Sequence, residues 1–154
     1  MKHKKVYIIS IAIALAVGGL SALLTRDSME SFAALNQPPL SPPGIVFPIV
    51  WTMLYTLMGI SAARIWLSND PDLPDALFLH GAQLFVNFFW SIFFFNLELY
   101  LFSFFWLLLL LALVTAMTVR FYRIDPTAGL LQFPYILWLL FAAYLNMGIY
   151  LLNR

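Results

Sequence analysis

Charged residues recur along the chain at intervals that leave long apolar stretches between them. The uncharged windows are 6–25, 31–63, 76–97, 99–119 and 126–153, which are 20, 33, 22, 21 and 28 residues long. A helix needs about 20 apolar residues to cross the bilayer hydrocarbon at about 1.5 Å of rise each, so each window holds one crossing. In the second window, Ser31 to Pro43 contains Asn36, Gln37, Pro38, Pro39, Ser41, Pro42 and Pro43, a run that does not continue a helix. The pattern predicts an all-α integral membrane protein, a five-transmembrane-helix bundle forming one domain over residues 1–154. Its spans are expected near 5–25, 44–67, 77–97, 101–122 and 128–151. Asp125 is a candidate N-cap, followed by Pro126 at the first helical position, and Pro134 is expected to bend the fifth helix early.

Composition agrees with lipid as the solvent. The 154 residues are 63% hydrophobic and 10% charged, against roughly 45–50% and about 25% in soluble domains. The net charge of +1 provides no basic stripe for nucleic acid, which is excluded as a main partner. The absence of cysteine excludes thiolate metal sites and thiol catalysis. The first span is read as a helix rather than a signal peptide, because its apolar run exceeds the usual h-region and no A-x-A-like site follows. With the N-terminus cytoplasmic, Lys2, Lys4, Lys5, Arg64, Arg120 and Arg123 lie inside, and only Arg26 and Arg154 outside. The positive-inside rule therefore favours N-in, C-out.

Two features bear on function. The connection 26–43 is long for so small a bundle, and its prolines should hold it against the helix ends as a lid over a pocket. Polar side chains within the spans mark faces that look at other helices or at a cavity. At 100° per residue, His80, Gln83, Asn87, Trp90 and Phe94 share one arc of the third span. Tyr135, Trp138, Ala142, Asn146 and Ile149 do so on the fifth, and Trp51, Tyr55, Met58, Gly59 and Ala62 on the second. Aromatic rings with polar tips, small residues and amides suit a flat hydrophobic ligand, whose faces stack while N–H and amide groups orient it. The same residues also suit plain helix–helix adhesion and interfacial anchoring. On the first span Ala14, Gly18, Ala22 and Thr25 form a small-residue seam that serves either packing within the bundle or a homodimer.

No Asp, Glu, Lys or Arg lies in mid-span, so a proton relay, voltage sensor or carboxylate-coupled carrier has no residues to work with. With His80 the only histidine near a span, no metal site is expected, and that side chain is read as an interfacial hydrogen-bonding group. Leu145, Tyr150 and Arg154 fit a sterol-recognition pattern that is common by chance, and are read as a plain anchor.

The stretch Pro38 to Tyr55 (PPLSPPGIVFPIVWTMLY), running into Met58-Gly59, resembles the signature of the translocator protein family, also called tryptophan-rich sensory proteins or peripheral-type benzodiazepine receptors. Gln83 to Phe95 (QLFVNFFWSIFFF) resembles that family's third helix, and Leu130 to Asn146 (LLQFPYILWLLFAAYLN) its fifth. The resemblance implies a five-helix bundle whose first loop covers a cavity binding porphyrins such as protoporphyrin IX, and isoquinoline carboxamide or benzodiazepine drugs. It places Trp51, Asn87, Trp90, Tyr135, Trp138, Ala142 and Asn146 at motif positions; Tyr55 joins them as a ligand-binding candidate from the face pattern. Family members usually carry Trp where this chain has Leu40, and often where it has Ile45, so weaker lid contacts are expected. The three N-terminal lysines and the short chain suit a bacterial member in the cell (cytoplasmic) membrane.

Three functions follow as expectations. The first is a porphyrin receptor or carrier that needs no cofactor. The second is light- and oxygen-dependent porphyrin breakdown, with Trp51 and Trp138 as oxidisable residues. The third is a stress-linked sensor or assembly partner that dimerises through Gly18 and Ala22.

Overall fold

The computed structural model describes residues 2–154. Helix α1 (Lys2–Thr25) runs through a 3₁₀ turn at Arg26–Ser28 into the short α2 (Met29–Ala33). Four further segments follow: α3 (Val46–Ser68), α4 (Leu73–Ser91), α5 (Tyr100–Ile124) and the pair α6 (Pro126–Leu130) and α7 (Phe133–Asn153). Five of the resulting helical spans are long and apolar enough to cross a membrane. The chain is thus a multi-pass membrane protein.

Local chemistry explains where the helices stop. Asn69, in the left-handed region at φ 54, ends α3, a conformation Asn tolerates better than most residues. As expected, the Asp125 carboxylate caps α6 by accepting the Thr127 N–H at 3.1 Å, with Pro126 behind it. The fifth span differs from the expected bent helix: it breaks at Leu131–Gln132, and Pro134 sits in the first turn of α7, where a missing N–H costs nothing. The lid segment also differs. Helix persists to Ala33, because the prolines that forbid it begin only at Pro38. At its far end α4 widens into a π-helical turn over Ile92–Asn96, with Leu97 N–H bonded to Ile92 O at 3.0 Å.

Helix α1 packs most extensively on α3, and α5 forms the opposite wall against α4, α6 and α7. Two glycines set the α1–α3 approach. A Cβ on Gly59 would overlap Ile11 Cα, and one on Gly18 would overlap the Tyr55 ring. Ser10 Oγ donates across the seam to Gly59 O at 2.7 Å. The small-residue seam therefore works inside this chain; Ala14, Ser21 and Thr25 are buried on it while Ala22 is exposed. Gly18 and Ala22 thus do not form the shared outward face expected of a dimer contact. Leu145 likewise points inward, so Leu145, Tyr150 and Arg154 do not form one lipid-facing surface.

At the end remote from the lid, Arg64 of α3 reaches Asp125 with Nε–Oδ2 at 2.7 Å and Nη2–Oδ1 at 3.3 Å. Burial pushes the Asp125 carboxyl up. The Arg64 guanidinium, by hydrogen bond and by charge, and the backbone N–H groups of Thr127 and Ala128 outweigh it and hold the group below the ordinary carboxylate value. Together with Ser61 Oγ, which donates to Ala128 O at 2.7 Å, this pair ties α6 to α3.

Candidate functional site

The three faces expected from helical periodicity meet, except that Gly59 turns to α1 instead. Tyr55, Asn87, Trp90, Tyr135, Ala142 and Asn146 are all buried, and Trp51 and Trp138 are half-buried. Close backbone packing of α7 is with α5. The space between α7 and helices α3 and α4 is bridged by long side chains, in two layers.

The first layer is aromatic. Trp51 lies 5.6 Å from Tyr55, 6.2 Å from Tyr135 and 6.4 Å from Trp138, ring centre to ring centre, with the two indoles perpendicular. Phe47, one turn before Trp51, meets the Trp138 ring edge-on at 5.9 Å. Such edge-to-face pairs are favourable and leave ring faces available for stacking. The Trp138 indole N–H is buried without an acceptor.

The second layer is polar. Asn87 Nδ2 donates to the Tyr135 hydroxyl at 2.9 Å, and that hydroxyl donates to Gln83 Oε1 at 2.7 Å. One turn or more further along, Trp90 Nε1 donates to Asn146 Oδ1 at 3.1 Å, and Asn146 Nδ2 donates to Tyr100 O at 2.8 Å. Trp90 also stacks on Phe94 at 5.2 Å. In an apolar surrounding each amide left unpaired is costly, so these bonds hold α4, α5 and α7 in one register. The interior is thereby closed by its own side chains; a ligand enters only if they part. His80, expected at the interface, is instead buried, with Nδ1 unpartnered.

Over this end lies the segment from Arg26 to Ile45. Phe32 of α2 contacts Phe47, Phe94 and Phe95 at 6.4, 5.8 and 5.2 Å. Pro38 is buried on Gly148, where an added Cβ would come within 2.6 Å of the ring. The Tyr144 hydroxyl donates to Pro39 O at 2.6 Å, and Asn36 and Asn153 exchange two bonds of 2.9 Å each. The segment is therefore docked on α7, as its prolines implied. A turn closed by Ser41 N–H to Pro38 O at 3.3 Å puts Leu40 at φ 71 and 82% exposed, and Ile45 is also exposed. Neither side chain faces the interior, which agrees with the weaker lid contacts expected at these two positions.

Sequence comparison gives this arrangement a lineage. The chain matches the TspO/MBR family over residues 10–152. It belongs to that family. Tryptophan-rich protein TspO of Archaeoglobus fulgidus is 37% identical over 94% of each chain. Tryptophan-rich protein TspO of Chlorobaculum tepidum is 33% identical, covering 93% of this chain and 92% of the relative. Human translocator protein is 31% identical, covering 82% of this chain and 76% of its own. Membership in the TspO/MBR family agrees with the resemblance carried by the Pro38–Tyr55 stretch.

Sequence periodicity missed three members of the site. Phe47 was detectable, lying four residues before Trp51 on the same helical face. Phe32 lies in α2 just before the proline-rich run, where the sequence gives no helical periodicity to assign it a face. Tyr100 contributes through its backbone carbonyl, for which side-chain identity carries no signal.

Proposed function

We propose that the chain is a membrane receptor or carrier for a planar porphyrin of the protoporphyrin IX class, held between α3, α4 and α7 beneath the Arg26–Ile45 segment. Isoquinoline carboxamide and benzodiazepine drugs would occupy the same site, and no cofactor is required. The supporting observation is the perpendicular Trp51–Trp138 pair, 6.4 Å apart, with the Trp138 N–H buried and lacking an acceptor. A flat ligand entering beside it gains a ring face and uses a donor that the closed bundle leaves idle. Asn87 and Asn146 then exchange their internal bonds for bonds to the ligand edge, which costs little net when each is replaced. The lid end would face outward and the Lys2–Lys5 end the cytoplasm, in the cell membrane.

Intrinsic tryptophan fluorescence should be quenched saturably by protoporphyrin IX in detergent. Trp51→Ala, Asn87→Ala and Trp138→Phe should each weaken binding by roughly 1 kcal/mol or more. Unchanged affinity in all three would remove the site from between these helices.

A second reading rests on the same contact between two oxidisable indoles. The bound porphyrin supplies the photochemistry and dioxygen the oxidant, while Trp51 and Trp138 hold the ring and are themselves within reach of oxidation. The same titrations, illuminated in air, should yield a discrete absorbing product that Trp138→Phe does not give. Equal bleaching by an unrelated membrane protein excludes a specific activity.

A further inference from the structure

The end of the bundle remote from the lid carries a groove of about 410 Å³ between the last turns of α5 and the α6–α7 junction. It is lined by Thr118, Val119, Tyr122, Arg123, Leu130 and Phe133. Val119, Tyr122, Leu130 and Phe133 are all exposed, while the Thr118 hydroxyl is turned back to Val114 O at 2.7 Å. Gly129 fixes the depth of the groove: an added Cβ would lie 2.5 Å from Tyr122 Cβ, so α6 lies directly on α5. The result is a concave apolar surface that opens outward from the helices, where lipid is the neighbouring phase.

Its charge is asymmetric. Arg64 is paired with Asp125 at 2.7 Å and Arg120 with Asp75 at 3.4 Å. Among the described residues no carboxylate lies within ion-pair distance of Arg123. Arg123 follows Val119 by four residues, so it stands one turn nearer the water on the same face of α5. A basic residue in the last turn of a helix also complements the helix dipole. That role accounts for the charge and leaves the apolar concavity beside it unexplained.

We propose that this groove binds one anionic phospholipid from the adjacent leaflet. The acyl chain lies along Val119, Leu130 and Phe133, the phosphate pairs with the Arg123 guanidinium, and the Tyr122 hydroxyl hydrogen-bonds at the headgroup level. An arginine at the edge of the hydrocarbon matches a phosphate in charge and geometry, and an amphipathic tyrosine is suited to that depth. Because Arg64 already neutralises Asp125, no free carboxylate among the groove's immediate neighbours opposes the anion.

Native mass spectrometry of the detergent-solubilised full chain tests this, using phosphatidylglycerol, phosphatidylcholine and soluble glycerol 3-phosphate as probes. One phosphatidylglycerol should be retained in preference to phosphatidylcholine. Arg123→Gln should weaken that first binding about five-fold, the value of one basic residue at a membrane surface, and reduce the preference. Val119→Trp, which fills the groove without changing charge, should weaken both lipids, whereas Arg120→Gln should leave the first binding unchanged. All three positions are on the surface, and a thermal melt verifies that each variant is folded. Equal retention by the parent, Arg123→Gln and Val119→Trp would overturn the proposal. So would displacement of phosphatidylglycerol by equimolar glycerol 3-phosphate, which would mark a site for a free anion instead.

Discussion

Replacing Gly59 by leucine is expected to lower the melting temperature of the detergent-solubilised protein by on the order of 10 °C, an overpacking cost of about 3 kcal/mol. Helices in lipid gain nothing from moving apolar surface out of water, so their association depends on close packing and interhelical hydrogen bonds. The α1–α3 contact uses both at Gly59. Any side chain there overlaps the Ile11 backbone, which cannot turn aside as a side-chain tip can, and the Ser10 Oγ bond to Gly59 O is lost as the helices separate. Gly19 provides the control, since nothing lies within 4 Å of a Cβ added there. Gly19→Leu should match or slightly exceed the parent, because leucine favours helix by up to about 1 kcal/mol over glycine. A thermal melt of the two variants checks the contrast; equal melting temperatures would mean that the α1–α3 seam is not a close contact.

Gly148→Leu is expected to act on ligand exchange rather than on the fold. Its Cβ would meet the Pro38 ring at 2.6 Å and push the lid segment off α7. The Tyr144 bond to Pro39 O and the paired Asn36–Asn153 bonds would then be strained or broken. At about 0.5–1.5 kcal/mol for each hydrogen bond, losing the clasp should speed both association and dissociation of protoporphyrin IX by on the order of 10-fold. Most of the affinity survives, because Trp51, Asn87 and Trp138 are untouched. The melting temperature should change little, as α7 loses a helix-interior glycine. Stopped-flow fluorescence measures both rates, and unchanged rates would make the segment a passive connector.

The five crossings were legible because charge in hydrocarbon is expensive, so the spacing of Arg26, Glu30, Arg64, Asp75, Glu98, Arg120 and Asp125 marks the helix ends. The inward faces were legible because 100° per residue puts Gln83, Asn87 and Trp90 on one stripe. Periodicity shows the direction a side chain takes and not the partner it finds. Asn87 and Tyr135 are 48 residues apart, and nothing in either segment signals that they bond to each other through one hydroxyl and so close the space between their helices. The lid was harder. Prolines at 38, 39, 42 and 43 announce a break, yet α2 fits before them, and the left-handed turn at Leu40 occurs at a residue type that gives no hint of it. The seam on α1 was visible as a pattern of small residues, but only the approach of Ile11 to Gly59 and of Tyr55 to Gly18 shows that its partner is α3 of the same chain.

The most direct measurement is a structure determined at saturating protoporphyrin IX. The ring is expected between α3, α4 and α7, against the indoles of Trp51 and Trp138, with the Trp138 N–H bonded to the ligand. The Tyr135 bonds to Asn87 and Gln83 should be opened or lengthened relative to their present 2.9 and 2.7 Å. A porphyrin found only on the outer, lipid-facing surface, with the Asn87–Tyr135–Gln83 chain and the Trp51–Trp138 contact unchanged, would contradict binding within the bundle.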